Sequence, residues 1–124
     1  MRKFPDAETE QLAKKWQAHM HAFPAFSGTV QGKVDSEERR AIVNLHGNLA
    51  EWDGYNAGLV RRIIDGQKLE QSGFVFAPDP ELGQEIDHLI SRYPQHADLF
   101  AAYKKEYDEM LDMIELASKI NRRR

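Results

Sequence analysis

The run Glu85-Ile86-Asp87-His88 has the Glu-x-x-His spacing with which one helix offers two side chains to a single metal ion. Di-metal bundles use that pair twice and add glutamates from two further helices, whereas this chain has one copy. Glu106, Asp108, Glu109, Asp112 and Glu115 could supply carboxylates, but their spacing also fits a solvated helix face. His19 and His21 are two residues apart, so on a helix they diverge and cannot chelate one ion together. The stretch LHGNLAEWDGYN, residues 45–56, gathers a histidine, two acids, a tryptophan and two glycines. On a helix Asp53 lies two turns along from His46 on the same face while Glu51 points elsewhere, so these groups do not cluster. His46 therefore reads as a hydrogen-bonded boundary histidine ahead of a ligand or proton carrier. Glycine-rich phosphate loops, a nucleophile elbow and a zinc-protease helix are absent. The remaining metal candidates, His46, Glu85 and His88, complete no ligand set, so no metal, cofactor or catalytic residue is expected.

The elements that carry these residues read as helices. Asp6 follows Pro5 and precedes the acid-rich AETE, a helix start, and Leu12, Trp16, Met20 and Phe23 recur at helical spacing. A first helix is expected over 7–22, stopped by Pro24, with FSGTVQGKV as a loop or brief extended piece. Asp35 and Glu38 make a capping-box pattern, and no proline follows until Pro78. Ile42, Leu45, Leu49, Trp52, Leu59 and Ile63 then fall on three- and four-residue steps, with Asn56 in the one polar slot of that seam. A second helix should run over 36–65, with Gly66 as its stop. The connection QKLEQSGFVFAPDP has an apolar FVF able to tuck inward. Asp79 and Pro80 open a short third helix ending near Arg92, and a last helix starts near Gln95 with Phe100, Tyr103, Tyr107, Met110, Ile114 and Ala117 on its seam. The expected fold is all-α: a small bundle of three long helices and one short one, in a single domain over 1–124.

Composition agrees with one soluble core. The chain has 124 residues, 41% hydrophobic and 30% charged, which suits one globular domain and is too apolar for a disordered chain. A formal charge of -3 gives no drive toward nucleic acid, and Arg122, Arg123 and Arg124 suit a helix C-terminus. There is no cysteine, so neither disulfides nor thiolate metal sites are available. No apolar run approaches signal-peptide or membrane-span length, which makes a cytoplasmic location the expectation.

The segments NLAEWDGYNAGLVRRIIDG and ELGQEIDHLISRYPQHADLFAAYKKEYDEMLDMIELA resemble the DinB/YfiT-like helical bundles, over about Ile42 to Ala117. That family has a His-Leu-x-x-Trp pattern on its second helix, then a short helix, a break and a long helix. Its metal histidine would fall on Asn48 here, and its later His-x-x-x-His pair has no counterpart. The resemblance thus implies the bundle without the family's nickel- or zinc-type site.

The glycines Gly47, Gly54 and Gly58, with Ala50 and Ala57, form a band of small residues beside the apolar seam. Glycine within a helix costs about 1 kcal/mol relative to alanine, so such a band points to close helix packing or to association. The reading favoured by the sequence is a non-enzymatic binding protein, an adaptor, inhibitor or regulator that meets a protein partner and self-associates. Its contact surface would be Gly47, Trp52, Gly54, Tyr55 and Asn56. The alternatives are a bundle-type metal-dependent or small-molecule enzyme using His46, Glu85 and His88, and a nucleic-acid-binding regulator using Arg39, Arg40, Arg61, Arg62 and the terminal arginines.

Overall fold

The computed structural model describes Phe4 and residues 6–22, 37–69 and 75–124. Four α-helices account for most of them: α1 (Ala7–Ala22), α2 (Glu37–Ile64), α3 (Pro80–Arg92) and α4 (Ala97–Arg122), with a single 3-10 turn at Pro94–His96 before α4. No strand occurs among the described residues, and the protein is all-α. Among the described residues no helix is long and apolar enough to cross a membrane. The Pro24 stop, the FSGTVQGKV segment and the Asp35 cap all lie outside the described residues.

Local chemistry sets the start of α1, the end of α2 and the start of α3. The Asp6 carboxylate accepts the Thr9 backbone N–H at 2.7 Å, and that bond holds its pKa below the ordinary carboxylate value. At the end of α2 the Gln67 N–H reaches Arg62 O at 3.0 Å and the Gly66 N–H reaches Ile63 O at 3.1 Å. This is a Schellman closure, and it needs the left-handed φ of +92° that Gly66 adopts without a Cβ clash. Asp79 caps α3 by accepting the Leu82 N–H at 3.2 Å, and Pro80 occupies the first turn.

The core is formed where α2 and α4 face each other, with α1 and α3 packed against both. Leu45, Leu49, Val60 and Ile63 from α2 meet Phe100, Tyr103, Met110 and Ala117 from α4, all fully buried. Leu12 of α1 and Ile86 of α3 complete the same cluster. Gly83 brings α3 close to α4: a Cβ there would sit 2.8 Å from the Tyr107 ring, so the bare backbone makes room for that ring.

The inward face of α1 differs from the expected seam. Leu12 is buried and Trp16 half-buried as expected, but Met20 is exposed and His19 takes the inward place. Trp16 fixes this phase by donating its indole N–H to Ala57 O of α2 at 3.1 Å, under the guanidinium of Arg61 at 5.1 Å from the ring. Three residues further on, the same face presents His19 to the core.

Candidate metal centre

His19 enters a gap between α2 and α4 and finds a carboxylate on each side of its ring. On one side Nε2 lies 2.5 Å from Oδ1 of Asp53, which is itself buried on α2. On the other side Nδ1 faces α4, with Glu109 Oε2 at 3.3 Å in hydrogen-bonding geometry and Glu106 Oε2 at 3.0 Å. Glu106 and Glu109 are three apart on one helix, which places both on the same face. Their oxygens and His19 Nδ1 all lie within 4.8 Å of one another.

Donor bookkeeping shows what is missing. An imidazole that donates its Nε2–H to Asp53 carries a lone pair on Nδ1, aimed at two carboxylates; an imidazolium has one Nδ1–H to give. Glu106 Oε2 is outside hydrogen-bonding geometry despite its 3.0 Å approach to Nδ1, and it finds no hydrogen bond to any described group. Yet Glu106 is only 3% exposed. A buried carboxylate oxygen without a donor is a costly arrangement that calls for a proton or a cation.

The electrostatics agree. Burial pulls the pKa of His19 down, but the carboxylates of Asp53, Glu106 and Glu109 outweigh it and hold the value above the usual histidine range. Burial raises the pKa of Glu106, with neighbouring Glu109 and Asp53 adding to the rise and His19 opposing it. Both shifts describe a site with more negative charge than one imidazolium neutralises.

A divalent cation at Nδ1 would complete this arrangement. Around an ion about 2.1 Å from each ligand, neighbouring donor atoms lie about 3.0 Å apart in octahedral and about 3.4 Å apart in tetrahedral geometry. The separations of 3.0 and 3.3 Å from Nδ1 to the two glutamates match that spacing. Asp53 then holds the far nitrogen, the carboxylate–histidine–metal relation that fixes tautomer and ring orientation in metal sites. A cleft of about 350 Å³ opens beside the trio, lined also by Lys15, Ala18, Lys105 and Asp112.

The residues singled out in the sequence are placed elsewhere. His46 is half-buried and pairs its Nδ1 with the Tyr103 hydroxyl at 3.1 Å, the boundary contact expected of it. Glu85 is half-buried and His88 exposed on α3, and among the described residues neither joins a group of three potential ligands. Asn48, where the family resemblance puts a metal histidine, lines a separate open cleft with Glu51 and Glu85. Trp52 and Asn56 lie in the core rather than on a contact surface. Trp52 donates to Ala77 O at 2.5 Å; Asn56 donates to the same oxygen at 3.1 Å and accepts the Ala77 N–H at 2.9 Å. Gly47, Gly54 and Tyr55 are exposed, and a Cβ at Gly47, Gly54 or Gly58 would meet nothing within 4 Å, so these glycines make room for no described neighbour, whereas Ala57 of the same band is buried in the core. Of the terminal arginines, Arg123 pairs with Glu8 and Arg124 donates to Gln67 O.

Neighbours in sequence hide this centre. His21, two residues from His19, is exposed, and the nearest histidine before Asp53 in the chain, His46, bonds to Tyr103 instead. The spacing of the α4 acids fits carboxylate ligands and a solvated face alike, and Glu106 occupies a seam position between Tyr103 and Met110. The usable signal was a polar residue at a core step on three helices at once.

No protein-family model matches the chain, and neither do any curated protein or solved structure.

Proposed function

We propose that the protein is a small bundle of three long helices and one short one that binds a divalent transition metal ion, zinc, manganese or iron(II). The ligands are His19 Nδ1, Glu106 and Glu109, and Asp53 orients the imidazole. The single observation that supports it is the buried Glu106 oxygen, without a hydrogen-bond donor, 3.0 Å from a histidine nitrogen whose other side is already fixed by Asp53. Three protein ligands leave coordination positions open, and the adjoining cleft gives small molecules a route to them. An ion held by these residues would supply Lewis-acid chemistry at the cleft, which favours a metal-dependent activity over a purely structural role. The association surface expected from the sequence is reduced to Gly47, Gly54 and Tyr55, and exposure alone names no partner for them.

The test is metal uptake by protein stripped with a chelator. Zinc or manganese is expected to bind at about one ion per chain and to raise the melting temperature, by the equivalent of about 2.7 kcal/mol at a hundredfold excess over Kd. Glu106→Gln should abolish the stabilisation, and Asp53→Asn should weaken binding about 10- to 100-fold while leaving the ligand atoms in place. No uptake, or uptake that survives in both His19→Ala and Glu106→Gln, overturns the reading.

A further inference from the structure

Resting on the metal reading, we propose that the ion is the clasp that docks α1: in metal-free protein α1 opens as a unit from α2 and α4, and in loaded protein it is held closed. The site permits this because its ligands lie on separate helices, His19 on α1 and Glu106 and Glu109 on α4. An opening that lifts α1 from α4 therefore takes the site apart.

Apolar packing holds α1 weakly. It is a helix of 16 residues, yet Leu12 is the only apolar side chain it buries outright, with Ala13 and Trp16 half-buried. The 13 residues of α3 bury Leu82, Ile86 and Leu89. The other two inward places on α1 are polar: Thr9, whose hydroxyl has no hydrogen-bond partner among the described residues, and His19. Burial of an apolar face is what fastens a helix to a core, and segments with few buried apolar contacts open well below the free energy of global unfolding.

The polar contacts of α1 are unequal on its two sides. Toward α2 they form two rungs, Trp16 donating to Ala57 O at 3.1 Å and His19 Nε2 meeting Asp53 Oδ1 at 2.5 Å. Toward α4, two carboxylates face one ring nitrogen that has at most one proton to give. At the far end of α1, Glu8 pairs with Arg123, a partly exposed ion pair of the kind that contributes little. Lifting the His19 end returns the buried carboxylates of Asp53 and Glu106 to water, which favours opening when no ion is bound. With an ion between them, His19, Glu106 and Glu109 instead hold α1 and α4 together.

Linkage sets the size of the effect. A ligand that binds only the closed form makes opening rarer by the factor 1 + [ligand]/Kd, about a hundredfold at a hundred times Kd. Backbone amide exchange of the full chain, read residue by residue with chelator and then with zinc at that excess, tests the clasp, while calorimetry follows zinc binding separately. Without metal the α1 amides are expected to exchange about tenfold or more faster than the buried amides of α2 and α4, and zinc should slow them about a hundredfold. If α1 exchanges as slowly as α2 and α4 without metal, or if bound zinc leaves its exchange unchanged, α1 does not open as a unit that breaks the site. Either result overturns the clasp and leaves the metal site standing. Absence of zinc binding by calorimetry overturns both.

Discussion

Two buried polar clusters stand within the same helical core, about one turn of α2 apart. At Asn56 the carboxamide and the Trp52 indole together embrace Ala77: two N–H groups donate to its carbonyl, and its own N–H donates to Asn56 Oδ1. Asn56 also donates to Trp52 O at 3.0 Å, so the side chain is spent in tying the connection before α3 onto α2. The neighbouring backbone is held in the same way, with the Tyr107 hydroxyl donating to Asp79 O at 2.9 Å. At His19 the groups converge as closely, but the donors run out before the acceptors do, and Glu106 Oε2 is left over. Equal burial with unequal satisfaction separates a cluster whose work is folding from one built to receive something.

The sharpest way to break this contrast is to remove one polar group from each cluster. Asn56→Ala strips the Ala77 N–H of its acceptor and should destabilise the protein by about 2 to 3 kcal/mol, with or without metal, as measured by urea unfolding. Glu106→Gln removes the charge that faces the His19 ring at 3.0 Å but breaks no hydrogen bond, and relieves the burial of an ionised oxygen, so in metal-free protein it should cost less than Asn56→Ala. If the two substitutions prove equally damaging without metal, the His19 cluster is a structural knot like the other.

Part of this difference could be read from the sequence and part could not. The four helices and their stops at Gly66 and Arg92 follow from caps, prolines and apolar spacing, because those signals act within a few residues of the place they mark. The polar slot at Asn56 was visible for the same reason, since every neighbour in its seam is apolar. What it would bond to was not visible, because Ala77 is 21 residues away and comes close only after α2 has turned back. The His19 centre is more distant still: its nitrogens meet residues 34 and 90 positions away. One helix step also decided the matter. With Met20 inward, α1 would bring no titratable side chain to the core, whereas the Trp16 bond to Ala57 accompanies the rotation that turns His19 in.

A change of pH offers a subtler separation, because only the His19 cluster carries groups that titrate. His19 has a folded pKa raised above its ordinary 6.5, and Glu106 one raised above 4.5. A group of either kind stabilises the fold fully below its unfolded pKa, and that contribution is lost as pH rises through the folded value. In metal-free protein these two contributions therefore decline from about pH 4.5 upward, with the His19 part fading above 6.5. A metal ion displaces the same protons, so its stabilising effect must grow over that range. Melting temperatures at mildly acid and mildly alkaline pH, with and without zinc, should show a zinc increment that widens as pH rises. Asn56→Ala should leave the widening intact while lowering every value, and a zinc increment that is flat with pH would detach the ion from His19.

The smallest expected effect lies between the two clusters in sequence and on the opposite side of α2. Gly54 follows Asp53 and precedes Asn56 by two residues, yet both of those side chains turn inward and Gly54 faces outward, with open space where a Cβ would stand. If that face meets only solvent, nothing repays the cost of a glycine within the helix. Gly54→Ala should then raise stability by up to about 1 kcal/mol, the helix-propensity difference, with zinc binding unchanged. The opposite result would be informative, because a second chain packed on this band would meet the new methyl group directly. An earlier melting transition in Gly54→Ala, together with a fall in mass by light scattering in Gly54→Leu, would show the band to be covered by another copy. The contrast drawn inside the core would survive that outcome, but the outer face of α2 would become an interface with Gly47, Gly54 and Tyr55 at its centre.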